Sequence, residues 1–231
     1  MNKYNISIIV LAVMLTISSC SESFLDVESK TESTTGNFYK TVNDARRALY
    51  ACYDGWQCST SNGGFSFYVA SEVMADECFG ATGNTDAYTY QAADRFDISL
   101  SPSDMNMFET IWTSYYAGVY RCNELIAHEE QINWGTDDSI RGTYMGECRT
   151  IRALLYFDMI RLWGNIPLFT EPVNENKTQA DPDDVYAIIV EDLKYAINNI
   201  PADAYPKAEA ASNDGHISKY AAEALLARVY L

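Results

Sequence analysis

Apolar residues recur at steps of three and four along much of the chain, and this spacing predicts helices. The first predicted helix runs from Thr41 to about Asp54, with Thr41 as its N-cap and Asp44 three residues later. A longer pattern begins near Ser103. Its apolar positions form a stripe of about five turns, which indicates one buried face; they are Phe108, Trp112, Tyr115, Val119, Cys122 and Ile126.

Three further helices are predicted in the second half of the chain. The helix that begins near Asp138 is apolar on two faces, so it needs neighbours on both sides, and Gly164 is expected to end it as a left-handed cap. Asp181-Pro182 opens the next helix. The last helix starts near Ser218 and has small residues at a spacing that lets a second helix approach closely, namely Ala221, Ala224 and Ala227. The fold class predicted is all-α, with antiparallel helix pairs of the tetratricopeptide type.

The chain stops at Leu231 inside an apolar helical pattern. A stacked helical array needs a polar terminal element, and the pattern shows none there. We therefore expect the sequence to be the N-terminal portion of a longer fold.

Between Gly55 and Pro102 the helical spacing is lost, and the pattern predicts a long, aromatic-rich segment in which loop dominates, with room for a short helix or strand. The candidate ligand-binding residues lie here: Tyr68, Asp76, Asn84, Tyr88 and Tyr90. An extended chain would place the rings of Tyr88 and Tyr90 on one face. Flat rings suit the C–H surfaces of sugars, and amides or carboxylates suit their hydroxyls. The alternative is that these rings pack beneath the loop as a small satellite core.

The N-terminus has a different pattern, typical of a secretory signal. Lys3 precedes an apolar run from Ile6 to Ile17, and two serines lead to Cys20. The run is shorter than the roughly 20 residues that a transmembrane helix needs, although an uncleaved anchor is an alternative. We expect residues 1–19 to be a lipoprotein signal peptide and Cys20 to carry the lipid. Residues 20–40 are then a polar tether, and residues 41–231 form the helical domain.

Composition and motifs narrow the possible functions. The formal net charge of −16 over 231 residues argues against nucleic-acid binding and against a basic membrane-binding patch. Two histidines and the absence of a Cys-x-x-Cys pair give little support for a metal centre, and no cofactor is expected. Cys122 and Cys148 are expected to be buried as small apolar residues, and the spacing assigns no disulfide. Metalloprotease, serine-hydrolase and phosphate-loop motifs are absent from the sequence, so no enzyme is expected.

Three arginines lie on otherwise apolar helices: Arg121, Arg149 and Arg152. A buried guanidinium needs an acidic partner, and the predicted partners are Glu124, Glu147 and Asp158. Four aromatic residues lie on the apolar stripes and are expected in the core: Trp112, Tyr115, Tyr116 and Trp163.

Six blocks of sequence together resemble the N-terminal part of the SusD/RagB family of nutrient-uptake outer-membrane lipoproteins. In chain order they are Phe24-Leu25-Asp26, ARRALYACYDGW (45–56), IWTSYYAGVYRCNELI (111–126, with Arg121 and Asn123), GECRTIRALLYFDMIRLWGNIPLFTEP (146–172), DVYAIIVEDLKYAINNIP and GHISKYAAEALLARVYL. The resemblance covers nearly the whole chain, and its specificity comes from the order of the blocks.

The resemblance implies a lipid-anchored protein on the outer face of a Bacteroidetes-like outer membrane. It implies that the protein binds glycans or oligosaccharides, performs no catalysis, and passes its ligand to a TonB-dependent transporter of the SusC type. The C-terminal half of the family fold, which supplies part of the ligand surface, is not in this sequence. Two alternatives remain open: a peptide-binding uptake protein of the same family, or a truncated or structural surface module without a small ligand.

Overall fold

Helices make up the regular secondary structure in the part of the chain that the structure describes. The computed structural model describes residues 37–61, 67–80, 88–97, 107–136, 138–204 and 215–231. Within these ranges there are seven α-helices: α1 (Val42–Ser61), α2 (Phe67–Met74), α3 (Tyr88–Asp94), α4 (Met107–Ala127), α5 (Asp138–Trp163), α6 (Pro182–Asn199) and α7 (Lys219–Val229). No β-strand occurs in the same ranges, which hold only two isolated bridges. The predicted all-α class is confirmed.

Four helix ends lie where the local sequence predicts them: the starts of α1, α6 and α7 and the end of α5. The Asp44 N–H donates to Thr41 Oγ1 at 3.2 Å, and the Thr41 N–H donates to the Asp44 carboxylate at 2.9 Å, so the two residues cap α1 reciprocally. Gly164 ends α5 with a φ of +69°, in the left-handed region that glycine adopts without strain. The side chains of Asp181 and Ser218 each accept a backbone N–H at the start of α6 and α7.

The prediction that loop dominates between Gly55 and Pro102 is wrong in the part that the structure describes, where helix prevails; α2 and α3 fit the room left for short elements. Helix α1 continues through Gly55 to Ser61, and α2 and α3 follow. Gly55 is tolerated within α1 because α4 crosses there: a Cβ atom on Gly55 would lie only 2.8 Å from Gly118 Cα. The extended conformation predicted around Tyr88 is also wrong, since α3 begins at that residue.

Helix α5 is the centre of the packing. It contacts α6 on one side and α1 and α4 on the other, while α7 packs mainly on α6. Both of its predicted apolar faces are used, since Leu155 and Tyr156, adjacent in sequence, are each fully buried. Among the helices described, none is long and apolar enough to cross a membrane.

The predicted partners of the three arginines are wrong. Arg149 and Arg152 both bind Asp192 of α6, at 3.1 and 2.7 Å. Arg121 binds Asp54 of α1 at 2.5 Å. The predicted partners have other contacts: Glu124 lies near His128, Glu147 binds His216, and Asp158 binds Arg161. The true partners come from neighbouring helices, because helix packing selects them and sequence proximity does not.

Candidate functional site

The predicted ligand residues do not form one exposed group. Tyr68 lies on α2 and is 59% exposed, and Asp76 follows α2 in the left-handed region with a φ of +60°. Tyr90 on α3 is partly buried and packs against the cluster Ala70, Val73 and Ala93 that joins α2 to α3. Asn84 and the side chain of Tyr88 lie outside the described part of the chain.

For Tyr90 the structure matches the satellite-core alternative, whereas Tyr68 remains available to a ligand. Two other aromatic residues are exposed near this pair of helices, Phe79 at 91% and Phe96 at 61%. Their exposure could not be inferred from the spacing of apolar residues, because they lie just outside α2 and α3. Helical spacing predicts burial only for apolar residues within a helix, and it says nothing about aromatic residues in the segments that follow one.

A cleft of about 440 Å³ lies between α4 and the connector that joins α5 to α6. We call it the connector cleft. Its aromatic lining consists of Trp112, Tyr116 and Tyr120 from α4 and Phe169 from the connector. The expectation that Trp112, Tyr116 and Trp163 are core residues is therefore wrong, since all three are only partly buried; Tyr115 alone of the four is fully buried. For Trp112 and Tyr116 the reason is that the connector covers this face of α4 incompletely. Trp163 is the last residue of α5.

The rings of the cleft support one another. The Trp112 and Tyr116 ring centroids are 4.8 Å apart, and the Tyr116 ring meets Phe169 edge-on at 5.6 Å. Tyr120 is 44% exposed and lies eight residues beyond Trp112, so the two are about 12 Å apart along one side of α4. The cleft therefore presents apolar ring faces along a length greater than one sugar residue.

Buried hydroxyl groups hold the connector in place. Tyr116 Oη donates to the carbonyl of Pro167 at 2.8 Å. Tyr156 Oη donates to the carbonyl of Phe169 at 2.7 Å and accepts the Phe169 N–H at 2.8 Å. Burial raises the pKa of both tyrosines well above the ordinary value, so each remains a protonated donor. Asn123 Nδ2 adds a bond to the same carbonyl of Phe169 at 2.9 Å.

The polar lining of the cleft suits a neutral ligand. Lys177 Nζ lies 5.2 Å from the centroid of the Phe169 ring and 3.6 Å from Glu175 Oε1, so its charge has an acidic partner. Asn174 and Asn176 line the same edge and are exposed. Amide groups beside aromatic faces can bind hydroxyl groups without a net charge on the ligand.

A second cleft, of about 520 Å³, lies beside the start of α7 and is lined in part by Tyr53 and His216. The fully buried Glu147 accepts a hydrogen bond from Tyr53 Oη at 2.5 Å and lies 2.7 Å from His216 Nδ1. Tyr53 Oη also accepts the N–H of Ile217 at 2.7 Å. These bonds join α1 and α5 to the residues just before α7, and sequence reasoning missed them because the partners are 69 or more residues apart.

Comparison with known proteins identifies the family. Residues 23–231 match the sequence profile of SusD-like proteins, which is described as starch-binding and associating with the outer membrane. The chain belongs to this SusD-like family. It is 27% identical over 232 residues to SusD-like protein P38 of Formosa agariphila, covering 98% of this chain and 42% of that protein. A SusD-like protein of Bacteroides ovatus is 24% identical, with 97% and 38% covered.

Solved SusD-like structures share the fold. A laminarin binding SusD-like protein is 29% identical, with a TM-score of 0.64 over 83% of this chain and 40% of that chain. Surface glycan-binding protein A of Bacteroides thetaiotaomicron, solved with laminarihexaose, is 24% identical with a TM-score of 0.67, over 82% and 38% of the two chains. The latter likeness concerns the fold alone. The chain of this SusD-like protein thus spans about two fifths of the length of these relatives.

Proposed function

We propose that this SusD-like chain is part of an outer-membrane lipoprotein that binds neutral oligosaccharides and passes them to a TonB-dependent transporter of the SusC type. The observation that carries the proposal is the connector cleft, where partly exposed rings lie beside amide side chains. Cys20 is the proposed lipid attachment site, and the bound sugar is not altered chemically. The family description, starch-binding and associating with the outer membrane, supports both ligand class and location.

The chemistry of the cleft favours a neutral glycan over a charged ligand. The net charge of −16 repels anionic polymers, and Lys177 is already paired with Glu175. Aromatic faces gain contact with the C–H surfaces of sugar rings without needing a charge. A laminarin-type glucan is the first ligand to test, because the relative that is 29% identical is named for laminarin binding.

The ligand residues expected from the sequence stay a prediction: Tyr68, Asp76, Asn84, Tyr88 and Tyr90. Tyr68, which is exposed on α2, is proposed as a second contact point for a ligand. Phe108 packs against the cluster that joins these helices, and Trp112 follows it one turn later on the same side of α4. A ligand longer than the connector cleft can therefore extend toward Tyr68.

The test is a titration of the purified chain with laminarin oligosaccharides, starch oligosaccharides and peptides. We expect the glucan to bind, and expect Trp112→Ala and Tyr120→Ala each to weaken binding about 2- to 10-fold, the range for loss of one aromatic contact. Tyr230→Ala is the matched control, since Tyr230 is a similarly exposed tyrosine next to α7 and does not line the cleft. Tyr68→Ala tests the second contact point.

Other results would replace the proposal. Binding of peptides alone would indicate a peptide-uptake protein, and binding of no small ligand would indicate a structural surface module. Shortened oligosaccharides in the mixture would indicate an enzyme. Loss of fatty-acid labelling on Cys20→Ser tests the anchor, and co-purification with a TonB-dependent transporter tests the partner. Binding unaffected by Trp112→Ala and Tyr120→Ala would remove the connector cleft as the site.

A further inference from the structure

Three cysteines from three different helices meet in the core. Cys52 of α1, Cys122 of α4 and Cys148 of α5 are each fully buried. Their sulfur atoms all lie within 4.8 Å of one another, and the sulfurs of Cys52 and Cys148 are 3.9 Å apart. Cysteine does serve as a small apolar residue in cores, but that role does not require three sulfurs to meet at one point.

The cluster has about the size expected of three sulfur ligands around one metal ion. A zinc–sulfur bond is about 2.3 Å, so three sulfurs arranged around one ion lie roughly 4 Å apart. The 3.9 Å separation of the Cys52 and Cys148 sulfurs is close to that value. A disulfide would require the same two atoms to be about 2 Å apart, and it would leave Cys122 without a partner sulfur.

The charges beside the cluster also favour an anionic site. Arg149 and Arg152 share the single carboxylate of Asp192, so this group of three carries a net charge of +1. Arg152 is 4% exposed, and its charge favours the thiolate of Cys122, while the charge of Asp192 opposes it. A divalent ion held by three thiolates has a net charge of −1, so the two groups would neutralise each other in a medium where an uncompensated charge is costly.

We propose that Cys52, Cys122 and Cys148 form a three-thiolate site for a thiophilic divalent metal ion of the zinc and cadmium class. Binding converts three thiols and one divalent ion into a three-thiolate complex and releases three protons to water. Thiolates are the ligands that such soft ions prefer. Because the site is buried, the ion enters while the chain folds and then stabilises the contact of α1 with α4 and α5. This inference is independent of oligosaccharide binding.

The experiment is to refold the full chain under reducing conditions with one equivalent of Cd²⁺, remove excess ion, and record the thiolate-to-cadmium absorption band and the metal content. We expect one ion per chain and a higher Tm than for chain refolded without metal. Cys52→Ala, Cys122→Ala and Cys148→Ala should each weaken binding more than the roughly 10- to 100-fold typical of losing an outer-shell partner. Cys58→Ala and Cys78→Ala are the matched controls, because these cysteines lie outside the cluster, and they should bind as the parent does.

X-ray absorption at the cadmium edge gives an answer that does not depend on the variants folding. Three sulfur neighbours around the ion are expected in the parent chain. The proposal is overturned if the refolded chain takes up no Cd²⁺ while its thiols are reduced, or if the ion has fewer than three sulfur neighbours. It is also overturned if Cys58→Ala or Cys78→Ala abolishes binding, or if protein isolated without reductant contains a disulfide between Cys52 and Cys148.

Discussion

At the scale of single residues, one buried carboxylate organises the polar part of the core. Asp192 is fully buried and accepts hydrogen bonds from Arg152 Nε at 2.7 Å, Arg152 Nη2 at 2.8 Å and Arg149 Nη1 at 3.1 Å. Arg152 Nη1 donates in turn to Asn123 Oδ1 at 2.7 Å. Because Asn123 also binds the connector, the same network reaches from α6 to the wall of the connector cleft.

Removing this carboxylate should be costly. Asp192→Ala leaves the buried guanidinium of Arg152 without its counter-ion, and we expect the free energy of unfolding to fall by about 3–5 kcal/mol. Urea unfolding, monitored by circular dichroism, measures this free energy. Glu191→Ala is the control, since the preceding residue of α6 is exposed and its loss should change stability by less than about 0.5 kcal/mol. Equal effects of the two substitutions would contradict the role given to Asp192.

At the scale of helices, glycine permits two close crossings. A Cβ atom on Gly55 of α1 would lie 2.8 Å from Gly118 Cα of α4. A Cβ atom on Gly146 of α5 would lie 2.5 Å from Ile200 Cγ1, just after α6. Both distances are shorter than real Cβ contacts. At Gly55 the atom met belongs to the backbone of α4, whereas at Gly146 it belongs to the Ile200 side chain, and the nearest backbone atom of α6, Ala196 Cα, is 3.3 Å away. These glycines therefore set the spacing of the bundle around α5.

The crossing of α1 and α4 can be tested by whether one substitution stabilises or destabilises the protein. Within a helix, glycine to alanine normally stabilises by about 1 kcal/mol. Gly55→Ala should instead lower the free energy of unfolding by about 1–3 kcal/mol, because the atom it meets belongs to the backbone and cannot rotate away. Urea titration of the variant measures the change. Ala117→Gly, at an exposed position of α4, is the control that measures the difference in helix propensity between alanine and glycine without a crossing helix. A stabilising effect of Gly55→Ala would contradict the close crossing.

At the scale of the whole molecule, segments far apart in sequence are joined by a few polar contacts. Glu147 of α5 binds Tyr53 of α1 and His216, which lies three residues before α7. Helix α7 contacts α6 far more than it contacts α5, and this network ties the residues just before α7 to α1 and α5 at the centre of the bundle. A carboxylate 69 residues earlier in the chain thus fixes the residue from which α7 is approached, in addition to the packing of α7 on α6.

The attachment should be visible as local protection from hydrogen exchange. His216→Ala removes a hydrogen bond to a buried carboxylate, a contact worth about 1.5–3 kcal/mol, so amides of α7 should exchange about 10- to 100-fold faster. Hydrogen exchange read by mass spectrometry measures each helix separately. His128→Ala is the control, since that ring stacks on Tyr39 and is not part of the network. A uniform increase over all helices would mean general destabilisation and no specific attachment of α7.

The sequence alone determined the all-α class, the positions of α4 to α7 and the ends of several helices. The Thr41–Asp44 cap, the Gly164 terminus and the Asp181 and Ser218 caps all agree with the structure. These features depend on residues within about four positions of one another, close to one helical turn of 3.6 residues. A short stretch of sequence is therefore enough to predict them. The same local reasoning failed at Gly55, where a distant helix supplies the reason for the glycine.

Only the tertiary structure decided which side chains meet. The Asp192 partners are 40 or more residues away, the three core sulfurs come from helices up to 96 residues apart, and the cleft exists because Phe169 returns to α4. Helical periodicity specifies which face of each helix is buried, but not which other helix covers it. That choice depends on packing between faces, so the arginine partners, the exposed part of Trp112 and the sulfur cluster could be found only in the folded chain.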